Sequence, residues 1–373
     1  MNEAKINITV KKPRVLVAPL DWGLGHATRC ISIVYALQNL GLTVVLAGDN
    51  AIETILKKEF PNCEFLHLKG YNIRYSRKKY FFMLKLMSQL KRIGNSIQHE
   101  QLWLRKVVTE HQINAVVSDN RPGLYHPNVP CIYITHQLQI KTGTAIGNII
   151  ASALHRYCIH RFSGCWVPDQ EKAPGLAGKL SHPVSLPKTP IQYIGNLSRF
   201  KYNNTGKKKG ICILLSGPEP QRTLLEQMII PQLSDLPGPI CLVRGLPDNK
   251  ETLELPPHIQ CFSHLPTKDL NELLNETAMV ICRSGYSTVM DLVKLRCNAI
   301  MIPTPGQGEQ VYLGSHLMKA GIFYCCDQKK LNLKKALKSA ADFYKNTNKP
   351  SVFFNDQPIK RWVEELLKQH QQQ

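Results

Sequence analysis

The run Cys282-Arg283-Ser284-Gly285-Tyr286-Ser287-Thr288 follows the apolar residues Val280-Ile281, and a carboxylate, Asp291, stands a short way into the next apolar stretch. A strand that ends in small residues and opens a helix presents main-chain N–H groups to a phosphate, and an acidic side chain nearby can hold ribose hydroxyls. The chemistry expected at Arg283, Ser284, Gly285, Ser287, Thr288 and Asp291 is nucleotide binding; a buried strand with an ordinary helix cap is the plainer alternative. A second unit, Ala299-Ile300-Met301-Ile302-Pro303 and then Gly308-Glu309-Gln310, repeats the pattern and puts Glu309 and Gln310 at another helix start. Near the amino terminus, Val15 to Leu20 leads into Gly23-Leu24-Gly25-His26. Two glycines permit a tight turn and a close approach to a ligand, and a neutral imidazole near pH 7 suits a general base. Asp119, at the end of the run Ala115-Val116-Val117-Ser118, falls on the same sheet edge and suits the task of orienting the far ring nitrogen, with Asp21 or His136 as alternative bases. There is no GxGxxG and no P-loop, so neither dinucleotide binding nor ATP hydrolysis is expected. No Asp-x-Asp pair occurs, so a carboxylate clamp for a divalent metal is missing and helix amino termini, cations and hydroxyls are expected to take its place.

The block from Met279 to Gly321, with CRSGYSTVMDL, IPTPGQGEQ and HLMKAG, resembles the carboxyl-terminal half of family 28 glycosyltransferases, the family of the lipid II-forming N-acetylglucosaminyltransferase and plant monogalactosyldiacylglycerol synthase. The resemblance extends over residues 13–40 and 190–325. It implies the GT-B architecture: two doubly wound α/β Rossmann-like domains facing a cleft, acceptor in the first and UDP-sugar in the second. It also implies that Gly23, Gly25 and His136 lie on the acceptor side and that Glu309 and Gln310 reach the donor sugar. Ser216, Gly217 and Arg222 stand where the family carries a Gly-Gly-Ser-Gln-Gly-type loop; Pro218 and Pro220 depart from that pattern and stiffen it, and Arg222 is expected to replace lost N–H donors. Asp291 matches a glutamate that is one methylene longer. The pair His26–Asp119 is similar to the dyad of plant-type inverting glycosyltransferases. The implied activity is an inverting, metal-independent transfer from a UDP-sugar to an acceptor hydroxyl, a lipid-linked acceptor being one option, with no cofactor beyond the donor. The rivals are a sugar-nucleotide 2-epimerase of the same architecture and a nucleotide-binding subunit of a membrane complex that is not itself catalytic.

The elements that must position these residues read as a βα alternation, hence a mostly parallel sheet. Strands are predicted at 14–20, 43–47, 64–67, 114–118, 131–135, 164–167 and 191–195, with helices at 26–40, 51–59, 80–110 and 145–160. After a basic link, Arg199 to Gly210, strands are predicted at 211–217, 239–244, 259–262, 280–282 and 299–303, and helices at 220–233 and 267–275. The expected organisation is an acceptor domain at 1–196, a nucleotide-sugar domain at 197–355 and a terminal helix at 356–373 that crosses back to the first domain.

The 373 residues are 43% hydrophobic and 20% charged, a globular composition with room for two cores. The first 14 residues lack an apolar region and no run approaches ~18 apolar residues, so neither export nor a membrane span is expected, and the location expected is cytoplasmic. Twelve cysteines without CxxC pairs are expected to be reduced and not to hold zinc. The net charge is +20, of which +13 lies before Asn196. From Phe65 to His99 no acidic residue occurs, while lysines and arginines alternate with aromatic and aliphatic residues. That segment, 65–99, is expected to touch an anionic membrane surface on the cytoplasmic face. A helix packing Phe82, Leu86 and Leu90 into the core is the alternative; no RNA-binding motif accompanies the charge, so nucleic acid is not expected.

Overall fold

A computed structural model describes residues 12–71, 90–246 and 253–371, apart from 205, 207, 348, 349 and 351. The first half forms β1 (Arg14–Pro19), α1 (Leu24–Asn39), β2 (Thr43–Gly48), α2 (Asn50–Glu59), β3 (Glu64–His67), α3 (Leu90–Glu110), β4 (Ala115–Asp119), β5 (Cys131–Ile134), α4 (Ala145–Ile159), β6 (Gly164–Val167) and β7 (Ile191–Tyr193). The second half forms β8 (Lys209–Leu214), α5 (Gln221–Ile229), β9 (Ile240–Val243), β10 (Ile259–Phe262), α6 (Thr267–Glu276), β11 (Thr277–Cys282), α7 (Tyr286–Lys294), β12 (Ala299–Met301), α8 (Gly308–Lys319), β13 (Tyr324–Cys325), α9 (Leu333–Tyr344) and α10 (Gln357–Gln371).

The strand order is β3-β2-β1-β4-β5-β6-β7 in one sheet and β10-β9-β8-β11-β12-β13 in the other. The ladders within each sheet are parallel. Each order reverses once, between β1 and β4 and between β8 and β11, and these are the points where open α/β sheets bind ligands. Period-2 alternation explains the layering: Val15 and Val17 of β1 face one core, Leu16 and Ala18 the other. The first of these cores is continuous through both domains, joining Ile31 and Leu37 of α1 to Val289 of α7 and Leu313 of α8. Trp362 of α10 meets Trp166 of β6 edge to face, 5.3 Å between ring centres, so the last helix packs on the first domain.

The two-domain doubly wound fold agrees with the sequence reading. The strand β13 and the helix α9 were not foreseen; Tyr324-Cys325 is too short a run to carry a period. The residues 72–89, which hold most of the basic and aromatic segment at 65–99, lie outside the described residues. Among the described residues no helix is long and apolar enough to cross a membrane.

Candidate active site

Both sheets deliver helix amino termini to the same region. The turn after β1 passes through Gly23 at φ 93°, a conformation that strains any side chain, and opens α1 with no side-chain cap and no acidic residue in its first turn. The turn after β11 opens α7 at Gly285, again with no side-chain cap and no acidic residue. Thr144 caps α4 and Asn332 caps α9 through side-chain oxygens, while α2, α5, α6 and α8 also start without a side-chain cap. Helices α1 and α7 pack against each other, and Ser287 Oγ donates to the carbonyl of Gly25 at 2.9 Å. Uncapped N–H groups thus gather where an anion would be held.

On the first-domain side, His26 and Asp119 come together as expected: Nδ1 lies 3.1 Å from Asp119 Oδ2. Nε2 has no partner among the described residues. A third residue joins them. Arg29, one turn after His26 on α1, donates to Asp119 through Nε at 2.8 Å and through Nη2 to Oδ1, and its Nη2 also lies 3.0 Å from His26 Nδ1. Burial by itself would raise the Asp119 carboxyl; Arg29, and then His26, outweigh it and hold it well below the usual carboxylate range. Asp21 is turned to a different use, accepting the Tyr71 N–H at 2.9 Å.

His136 follows β5, stacks on Tyr286 with ring centres 4.2 Å apart, and meets Glu309 of α8 across the cleft, Nε2 to Oε1 2.7 Å. Gln137 donates to the other carboxylate oxygen at 2.8 Å. Burial lowers the His136 pKa, and Glu309 stays below the ordinary value because His136 overcomes its burial. The contact is a short imidazole–carboxylate hydrogen bond across the cleft. The two domains are thus joined directly at this point, with the cleft closed between them.

The remaining second-domain residues divide into two groups. Gly217, at φ 107°, and half-buried Ser216 stand at the end of β8. Thr288 is half-buried on the first turn of α7, and Asp291 accepts from Ser198 Oγ at 2.6 Å. Burial raises Asp291 to about 6, against the opposing charge of Arg199. The others face inward, contrary to expectation. Arg222 is spent on Glu219 and Glu226 and on the Arg244 carbonyl, an ion network that satisfies its guanidinium inside the domain. Arg283 donates to the carbonyls of Ile302 and Gln221 and to Gln328, and burial pulls it down to about 10. Ser284 Oγ donates to the Gln310 carbonyl, and Gln310 Oε1 accepts the Thr304 N–H, so these two side chains lock the β11 and β12 turns together. A strand-end arginine or serine with buried carbonyls in reach satisfies them before it reaches solvent.

Reading by residue type missed Arg29, Gln137 and Tyr286. The spacing from His26 to Arg29 is the one available signal, since i and i+3 share a helix face. An open concavity lined by Asp169, Gln170, Glu171, Lys172, Tyr193, Gly195 and Asn355 involves none of the expected site residues.

Residues 253–358 match the glycosyltransferase family 28 C-terminal domain. Among solved structures, the chain is similar to the glycotransferase of kitacinnamycin, at 13% identity, 96% of each chain and TM-score 0.64. It is also similar to the spinosyn rhamnosyltransferase complexed with thymidine diphosphate, at 18% identity, 89% of this chain, 92% of that one and TM-score 0.58. MurG of Acinetobacter baumannii aligns at 14% identity, 95% and 100% coverage and TM-score 0.52. No curated protein matches the sequence. The chain therefore carries a glycosyltransferase domain on a GT-B fold, as the sequence resemblance implied.

Proposed function

We propose that this chain, whose residues 253–358 match the glycosyltransferase family 28 C-terminal domain, moves a sugar with inversion from a UDP-sugar to an acceptor hydroxyl without a divalent metal. The observation that supports it most is the junction of α7 and α1. Uncapped N–H groups at Gly285 stand one hydrogen bond, Ser287 to Gly25, from the turn that carries His26. In this reading the acceptor oxygen attacks the anomeric carbon as the bond to the diphosphate breaks. The proton passes to His26 Nε2, and the leaving negative charge is met by the amino terminus of α7. Asp119 holds the imidazole with its proton on Nδ1, and Arg29 keeps Asp119 ionised. Asp291 accepts the ribose hydroxyls once they displace Ser198, and Glu309 turns from His136 to the donor sugar as the cleft opens.

The metal-free assignment rests on the missing Asp-x-Asp pair and is checked by rates that survive a chelator. The base of the nucleotide is assigned from the sequence resemblance. Release of free UDP that depends on added acceptor, and that falls by at least about two orders of magnitude in His26→Ala, supports the proposal. Acceptor-independent turnover of the UDP-sugar would favour epimerisation, and nucleotide binding with no turnover would favour a non-catalytic subunit.

A further inference from the structure

Helix α4 is inverted relative to an ordinary surface helix. Ile146 (73% exposed), Ile149 (70%), Ile150 (56%), Leu154 (57%) and Tyr157 (60%) form its outer face. Ser152 and His155 are among the residues on its inner side, where Ser152 Oγ accepts the Ile140 N–H and the His155 ring meets Tyr133. The neighbouring loop adds exposed Val184 and Leu186 and is tied to the helix by Arg156 donating to the Ser185 carbonyl at 2.8 Å. Scattered exposed aliphatics need no explanation, but a contiguous stripe of this kind marks a contact surface.

We propose that the outer face of α4 and the 184–186 loop dock on an anionic bilayer. Charge selects that occupant. Between Asn120 and Pro218 the only acidic residues are Asp169 and Glu171, whereas Arg156 lies on α4, Arg161 follows it and bonds the Tyr157 hydroxyl, and Lys188 stands two residues after Leu186. Arg161 and Lys188 are exposed. Two copies of this face would oppose like charges, while anionic headgroups would accept the cations as the isoleucines enter the acyl boundary. The face adjoins the candidate site: the loop that leads into α4 carries Gln137, bonded to Glu309, and the Lys141 carbonyl, which lies against Gly308. The docking does not rest on the glycosyltransferase reading.

The test is sedimentation of the full chain with phosphatidylcholine vesicles, with and without phosphatidylglycerol, in the absence of any donor. The wild type should bind the anionic vesicles. Ile149→Ser/Ile150→Ser/Leu154→Ser should weaken binding at least about tenfold. Arg161→Gln/Lys188→Gln should weaken it about fivefold or more on anionic vesicles, with no change on neutral ones. Transfer to a water-soluble acceptor should be unchanged in both variants, which separates failure of docking from failure of the catalytic assignment. Unchanged vesicle binding in the triple variant would overturn the proposal. So would a wild-type dimer in sedimentation velocity that the triple variant dissolves.

Discussion

At the scale of single residues, the site turns on how Asp119 divides its two oxygens. Oδ1 serves Arg29, and Oδ2 serves both Arg29 and His26. A proton on His26 Nδ1 directed at Oδ2 leaves Nε2 able to accept a proton, as the proposed reaction requires; a proton on Nε2 would make Nδ1 an acceptor from Arg29 and close that route. Asp119→Asn should therefore cost at least about 10²-fold in kcat/KM, and it also leaves Arg29 buried without its counter-charge. The stability loss at neutral pH should be about 3–5 kcal/mol. Because the Asp119 pKa is lowered on folding, its contribution is present above the unfolded value near 4 and is lost as pH falls further. Urea titrations at pH 7 and pH 3 should show the gap between wild type and Asp119→Asn shrinking in acid. Asp291 behaves oppositely. Its pKa is raised to about 6 by burial, so its ionisation costs stability as pH rises from about 4 through about 6. Asp291→Asn should gain on the order of 2 kcal/mol at pH 7 and weaken donor binding about tenfold or more, and donor affinity of the wild type should improve as pH rises through 6.

Elements set where these groups stand. Gly285 precedes α7 at an ordinary φ, and a Cβ built there meets nothing within 4 Å, so the position tolerates a side chain. Its lack of a capping side chain leaves α7 without the stability that Asp or Ser would add, of order 1 kcal/mol, and keeps its N–H groups available. Gly285→Asp should thus raise the thermal midpoint while it weakens nucleotide diphosphate binding, because the new carboxylate takes the donors and repels the phosphate. Calorimetric titration with UDP alongside thermal unfolding reads both effects; a cap that stabilises without harming UDP binding would move the diphosphate elsewhere. Behind β4, the buried pair Arg121–Glu100, 2.6 Å apart, fastens the strand that ends in Asp119 to α3. Glu100 also accepts from the Tyr71 hydroxyl at 2.7 Å. That cluster fixes the edge on which Asp119 sits.

For the whole molecule, closure is the controlling feature. Ser287 to Gly25, Glu309 to His136 and Tyr286 to the Pro168 carbonyl link the domains through the space a donor would enter. A nucleotide sugar must exchange some of these contacts for its own, and its net affinity is the difference. A donor that binds should still stabilise the fold, by about 2.7 kcal/mol at a concentration 100 times its dissociation constant. A thermal-shift comparison of UDP-, GDP- and TDP-sugars therefore identifies the nucleotide, and no shift with any of them would remove the donor assignment.

The alternation of apolar runs and small-residue turns was enough to place strands such as β10 and β11, because strand period and turn chemistry are local properties. It also marked the turns at Gly23 and Gly285, since glycine answers to a positive φ at the first and leaves an open helix end at the second. What the chain order does not contain is which side chains meet. Arg29 and Asp119 are 90 positions apart, His136 and Glu309 173, and only the β1–β4 crossover and the closing of the two domains bring them within a hydrogen bond. Arg222 and Arg283 were misread for the same reason. Their type suits a phosphate, but the tertiary fold surrounds them with buried carboxylates and carbonyls whose desolvation must be offset, and those partners decide where a guanidinium points.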